Sequence, residues 1–220
     1  MNHFGKWLNW SCVAALGLAI GVGATAWAES AEDDISNKPA ETPAMQLPEG
    51  WTQADMQACM VASAPGKMQQ HLAEDVGHWQ CQTSMWMGTS GEPMKGQGTV
   101  EITSIMDGRY LQWVVNGQTQ GMGEYHGLGF YGFDNVSGQF VSSFMDNHST
   151  GISRGVGKLS EDGKVLTWEY TFSCPITKGP AVMREVLTRT GENTRTWDMY
   201  GKDPKTGKDG QMMHIEMERK

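Results

Sequence analysis

Residues 165–174 read VLTWEYTFSC, and the alternation within them decides the fold. Leu166, Trp168, Tyr170 and Phe172 fall on one side of an extended chain, and Thr167, Glu169, Thr171 and Ser173 fall on the other, because successive strand side chains point to opposite faces. A row of large apolar groups along one face is more than a soluble surface leaves in water. That face is therefore predicted to be buried, with Cys174 continuing it, and the Thr/Glu/Ser face to meet solvent.

The same pattern recurs on both sides of this stretch. About ten strand-like segments are counted, the others beginning near Trp79, Lys95, Arg109, Glu124, Gln139, Ile152, Ala181, Thr194 and Gln211. Asp107-Gly108 and Asn116-Gly117 read as hairpin dipeptides, and SEDGK (160–164) and DPKTGKDG (203–210) as Asp/Gly/Pro loops. Short consecutive strands joined by tight turns make an antiparallel meander, and a long meander closes because closure removes its exposed edges. The expectation is a mainly β chain forming a single antiparallel β-barrel of about ten strands, with a two-sheet sandwich as the alternative. Residues 52–79 precede it and read as two short helices broken at Pro65-Gly66, the second running from about Gly66 to Val76.

Further upstream, residues 1–28 have the form of a secretory signal: Lys6 in the n-region, the apolar run CVAALGLAIGVGATA, and a small-x-small AWA before Glu29. The run is too short to span a bilayer. Cys12 stands at its start, where a lipoprotein cysteine would follow its end. Residues 29–50 are acidic and Pro-rich, with too little apolar surface to order themselves. The domain reading is thus a signal at 1–28, a flexible linker at 29–50, and a barrel domain with its leading helices at 51–220, secreted or periplasmic and without a transmembrane segment after cleavage.

The chain carries a formal charge of −8, one unit more negative once Lys6 leaves. With no Lys/Arg cluster, this argues against a nucleic-acid partner and against an anionic membrane surface. Cys59, Cys81 and Cys174 remain after cleavage, an odd number with no C-x-x-C, which excludes a zinc ribbon and a dithiol redox motif. If the apolar faces of the strands meet inside a barrel, Cys81 and Cys174 are the pair able to bridge, with Cys59 on a helix outside.

In order and spacing, HLAEDVGHWQCQTSMWM, MDGRYLQ, GLGFYGFDN, DNHSTG, CPITKGPAVMREV and MYGKDPKTGKDGQMMHI resemble the bacterial "domain of unknown function 1579" family, from about Pro65 to the C-terminus. The resemblance implies a lipocalin-like barrel and carries no assigned catalytic or binding residue.

Candidate chemistry is sparse. GISRG (151–155) fits the G-x-S-x-G form of a nucleophile elbow. An elbow needs a helix after Ser153, and the residues that follow read as strand, turn and strand. Asp146, Asn147, His148 and Ser149 are consecutive, so on a strand they diverge, and a turn with Gly151 at positive φ is the expected role. His71, His78, His126, His148 and His214 show no H-x-H or H-E-x-x-H spacing. Sixteen methionines include Met85, Met87, Met94, Met122, Met145, Met212 and Met213. Thioethers suit copper(I), but they also fill irregular interiors, and no Met-x-x-Met array repeats. Arg184 and Glu185 face opposite sides of a strand, so one points inward and is either ion-paired or anchors a ligand.

The favoured reading is a binding module whose lining, Trp168, Tyr170, Met85 and Met87 with Arg184 as a possible anchor, holds a small apolar or amphipathic ligand. No cofactor is expected. The rivals are a solid-packed structural or envelope protein, a copper(I) binder using Met and His, and a hydrolase assembled from distant strands. Signal cleavage after Ala28 is expected to leave Glu29 as the first residue. N-terminal sequencing of exported protein checks this, and retention of residues 12–26 in a membrane fraction would overturn it.

Overall fold

A computed structural model describes residues 47–88 and 91–220. The expected signal segment, Cys12 and residues 29–46 of the expected linker lie outside the described residues. The chain divides into two units, one ending at Val61 and the other spanning Ala62–Lys220. Helix α1 (Gln53–Ser63) begins with a reciprocal cap. The Thr52 N–H donates to Asp55 Oδ2 (2.7 Å), and the Asp55 N–H donates to Thr52 Oγ1 (3.2 Å).

The second unit is a closed barrel of ten antiparallel strands. They are β1 (Gly77–Met85), β2 (Met94–Ile105), β3 (Tyr110–Thr119), β4 (Gly123–Asp134), β5 (Gln139–Asp146), β6 (Ser153–Leu159), β7 (Val165–Cys174), β8 (Gly179–Arg189), β9 (Thr194–Lys202) and β10 (Asp209–Arg219). Each strand pairs with its neighbours in sequence, and β1 closes the ring on β10, from Trp79 opposite Arg219 to Met85 opposite Met213. Every strand start read from the sequence lies within two residues of the observed one.

One turn was misplaced. Asn116-Gly117 lies inside β3, and the β3–β4 connection is Gln120–Gly121–Met122, with Gly121 at φ 79° and the Met122 N–H donating to the Thr119 carbonyl. Gly117 instead permits a close strand approach: it sits opposite Gly98, and an added Cβ would come 3.2 Å from the Gln97 carbonyl oxygen.

Alternation puts Trp79, Cys81, Val100, Ile102, Leu111, Trp113, Tyr131, Phe140, Leu166, Trp168, Tyr170, Leu187, Trp197 and Met217 in one buried interior cluster. Large rings fit because glycines on neighbouring strands leave room for them. A Cβ on Gly129 would fall 2.1 Å from Trp113 Nε1, and one on Gly157 would fall 2.7 Å from the Trp168 ring.

Helix α2 (Lys67–Ala73) lies at the end where β1 begins and β10 finishes, here called the lower end. Its buried Leu72 joins the interior cluster. Its buried Gln69 accepts from the Gly66 N–H (2.8 Å) and donates to the Phe133 carbonyl (2.9 Å). Just beyond the helix, the Asp75 carboxylate is shared by two arginines: Arg195 Nε at 3.1 Å and Arg189 Nη2 at 3.2 Å. Arg189 also donates to Glu74 (2.6 Å) and to the His71 carbonyl (2.7 Å). The Trp79 indole donates to the Asp75 carbonyl (2.9 Å), and the guanidinium groups of Arg195 and Arg219 lie over its rings.

Asp75 and Arg195 are both about 5% exposed. Removing the carboxylate therefore strands buried positive charge. Asp75→Ala is expected to cost about 3–5 kcal/mol, read as a lowered denaturant midpoint, with Glu74→Ala, which removes a side chain that is itself 61% exposed, costing far less.

The mouth of the barrel as candidate functional site

Inward-facing side chains differ sharply in exposure along the barrel. At the middle level they are sealed, as with Trp168 at 1%, and at the lower end Phe133 and Leu159 are half-buried. Towards the other end, Val115, Phe144, Met183, Met199 and Ile215 pack against the interior cluster yet are only half-buried. Met85, Met94 and Met213, one step further out, are half-buried as well. Residues that point into the lumen and still meet solvent define an open mouth.

The floor below this mouth is aromatic with a few polar groups. Trp113 stacks on Phe144 (4.6 Å between ring centroids) and on Tyr131 (5.4 Å), which in turn stacks on Trp168 (5.7 Å). The indole N–H groups of Trp113 and Trp168 are buried and find no acceptor among the described residues. Such donors are rare in folded proteins, and each costs about 1–3 kcal/mol. The Tyr170 and Ser142 hydroxyls share a 2.6 Å hydrogen bond. Nearer the mouth, the Tyr125 hydroxyl donates to Asp146 Oδ2 (3.2 Å). Burial holds the Tyr125, Tyr131 and Tyr170 hydroxyls well above the ordinary tyrosine range, so all three stay protonated.

Glu185 is the charged-type residue of this floor. It is 4% exposed, and Oε2 accepts from Trp197 Nε1 at 2.9 Å. Burial pushes its pKa up to about 8 against the opposing pull of the Trp197 bond. At neutral pH the group is mostly a neutral acid, and its hydroxyl is a further donor.

The sequence-derived candidates divide. Trp168 and Tyr170 lie in the floor, and Met85 lies at the mouth facing inward. Met87 follows the end of β1 and is 77% exposed, so it does not line the lumen. Arg184 is exposed on the outer wall, its guanidinium 4.1 Å above the Tyr200 ring. Parity put Glu185 inside and its neighbour outside, so Arg184 is no anchor for a ligand in the lumen. Exposed Glu169 is the cross-strand partner of Arg184 and faces outward with it.

Cys81 and Cys174 are buried but unbonded, correcting the expected bridge. Three strands separate β1 from β7 on the shorter way round. Neighbouring strands lie about 4.8 Å apart, whereas a disulfide needs Cα atoms within about 7 Å.

The 146–151 stretch is connection chemistry. The His148 N–H donates to Asp146 Oδ1 (2.9 Å), while Asn147 accepts from the His126 N–H (2.9 Å) and donates to the Glu124 carbonyl (3.1 Å). These side-chain bonds make the turn, and Gly151 is not at positive φ. Ser153 opens strand β6, not a helix. His214 lies beside Asp198 (2.7 Å) and His71 beside Arg189 (3.2 Å). Among the described residues no three His, Cys, Asp or Glu side chains gather to hold a metal, and no helix is long and apolar enough to cross a membrane. Two depressions of about 420 and 410 Å³ border β1–β4 on the outer wall, where Gln80, Gln82, Gln97 and Gln118 form an amide-rich surface.

Sequence reasoning did not single out Trp113, Tyr131, Phe144 or Trp197. Their alternation within β3, β4, β5 and β9 was the available signal, and convergence across four strands was not.

A family model described as "Protein of unknown function (DUF1579)" matches residues 64–219. Among solved structures, the crystal structure of Rv2717c from M. tuberculosis is similar at a TM-score of 0.55 and 12% identity, covering 71% of this chain and 99% of that one. A de novo designed fluorescence-activating β-barrel aligns at a TM-score of 0.38 and 11% identity, covering 71% of this chain and 100% of its own. At these values the first shows the fold alone, and the second adds nothing to it. No curated protein matches.

The raised Glu185 pKa has a defined consequence. From pH 4.5 to about 8 the folded protein keeps a proton that the unfolded chain releases. Stability therefore falls as pH rises through this window and levels off above it. Glu185→Gln keeps an acceptor for Trp197 and removes the titration. Over the window, wild type is expected to lose on the order of a few kcal/mol relative to the variant, measured by urea unfolding at each pH.

Proposed function

The chain belongs to the family of proteins of unknown function DUF1579, and from that premise we propose that it is a binding module that holds a small amphipathic molecule in the open end of its barrel. One observation carries this reading. The inward-facing residues of the upper lumen, Phe144, Met199, Met213 and Ile215 among them, are apolar yet solvent-reached, above a floor that is sealed. A ligand lying there removes that surface from water at roughly 25 cal/mol per Å².

The floor specifies which end of the ligand goes in first. The Trp113 and Trp168 N–H groups and the neutral Glu185 acid are all donors. A ligand with an apolar body and an acceptor-bearing end, such as a carbonyl or ether oxygen, complements them. The Asp146–Tyr125 pair at the rim suits a polar tail left at the surface. Export to the periplasm or beyond, on the strength of residues 1–28, is part of the proposal.

A barrel packed solid and binding nothing is the second reading. The ring stack through Trp113, Tyr131 and Trp168 favours it, since those rings already occupy the middle of the lumen.

Native mass spectrometry of the purified protein, before and after denaturation, separates the two. Titration with the neutral fluorophore N-phenyl-1-naphthylamine adds an affinity. Saturable one-to-one binding is expected, weakened at least tenfold by Met199→Trp, which fills the mouth. A wild-type protein that releases no small molecule and gives no saturable signal overturns the binding reading.

A further inference from the structure

Four methionines form an unbroken row on the inner wall. Met94 on β2 is the direct partner of Met85 on β1, Met85 is the partner of Met213 on β10, and Met213 is the partner of Met199 on β9. All four face inward by alternation: Val100, Cys81, Met217 and Trp197, an even number of residues along the same strands, are buried in the interior cluster. The row then continues to Glu185 on β8 and Trp168 on β7, so it descends from the rim to the floor.

Strand β10 carries one irregularity, just before Met213. The register shifts between Gln211 and Met213, so that Gln211 pairs with Tyr200 and Met213 with Met199. Met212 is the extra residue, a bulge of the kind that re-aims side chains. From Met213 to Met217 the pairing with both neighbours is regular, so the bulge changes the phase only of the residues that precede Met213 and leaves the row intact.

Directly opposed side chains on neighbouring antiparallel strands have Cβ atoms about 4.5–5.5 Å apart. Methionine is unbranched with three rotatable bonds, so adjacent members of the row have the reach to turn their sulfurs toward a common point. Neutral thioethers are poor ligands for calcium and magnesium and good ligands for soft monovalent ions. We propose that Met85, Met199 and Met213 form a three-thioether site for a single soft cation, Cu(I) or Ag(I), with Met94 guarding its outer side. The site shares Met199 and Met213 with the small-molecule reading but rests on the methionine row alone and stands if that reading fails. If methionine serves here only as apolar filling, leucine replaces it without loss.

The test uses the purified protein labelled with methyl-¹³C methionine, titrated anaerobically with Ag(I) and then, in a separate sample, with Cu(I) under reducing conditions. At one equivalent the Met85, Met199 and Met213 methyl resonances are expected to shift. That of Met68, on α2 at the far end, is expected to stay in place. Met85→Leu and Met213→Leu, near-isosteric swaps that cores tolerate, are expected to weaken metal binding at least tenfold while leaving the far-UV circular dichroism spectrum and the thermal midpoint unchanged. Metal held at Cys81 or Cys174 with the three methyl signals unmoved would overturn the proposal, as would Leu variants that bind as tightly as wild type.

Discussion

Asp75 is the point on which the architecture turns. A carboxylate about 5% exposed, gripped from β8 by Arg189 and from β9 by Arg195, fastens the end of α2 to the barrel. The same short segment supplies backbone acceptors to Trp79 and Arg219. Buried charge of this kind is tolerated only when every member is paired, so helix, strands and aromatic layer are specified together. Helix α2 packs at the lower end, and Leu72 from it joins the interior cluster.

Between the two ends, strand register decides which chemistry faces inward. Because the side-chain period is two, a slip of one residue would exchange the faces of an entire strand. On β8 that choice separates Glu185, deep in the lumen beside Trp197, from Arg184, stacked on Tyr200 outside. On β10 regular pairing from Met217 to Met213 keeps both methionines and Ile215 inward, with the bulge at Met212 lying outside that stretch. The row running from Met94 through Met85, Met213 and Met199 to Glu185 exists because five strands hold one phase. A thioether wall leading to a neutral buried acid is thus a property of the sheet and not of any one strand.

The glycines complete the arrangement from the other side. Gly129 and Gly157 present bare backbone where Trp113 and Trp168 lie, which lets three indoles and several smaller rings share one layer. Ring packing of this density leaves two indole N–H groups without acceptors.

Much of the fold was legible in the amino-acid order. Alternation such as that of Leu166, Trp168 and Tyr170, punctuated by Gly- and Asp-rich turns, marked ten strands and an antiparallel meander, since period and turn chemistry are local properties. The same local logic correctly read 146–151 as a turn, though it assigned Gly151 a conformation that side-chain hydrogen bonds made unnecessary. It failed where a dipeptide had two uses: Asn116-Gly117 has hairpin composition, yet Gly117 serves a close strand approach.

The site was only partly legible. Trp168, Tyr170 and Met85 could be assigned inward because their neighbours share one strand. Arg184, Met87 and the Cys81–Cys174 pair were misassigned because facing, strand ends and distance around a barrel are set by partners far away in sequence. Local pattern determined that this chain would close into a barrel with an apolar interior. Only the tertiary structure decided that Glu185 rather than Arg184 would stand inside it, and that methionines from residues 85 to 213 would meet in one row, because both depend on hydrogen-bond register between strands and not on the order of residues within them.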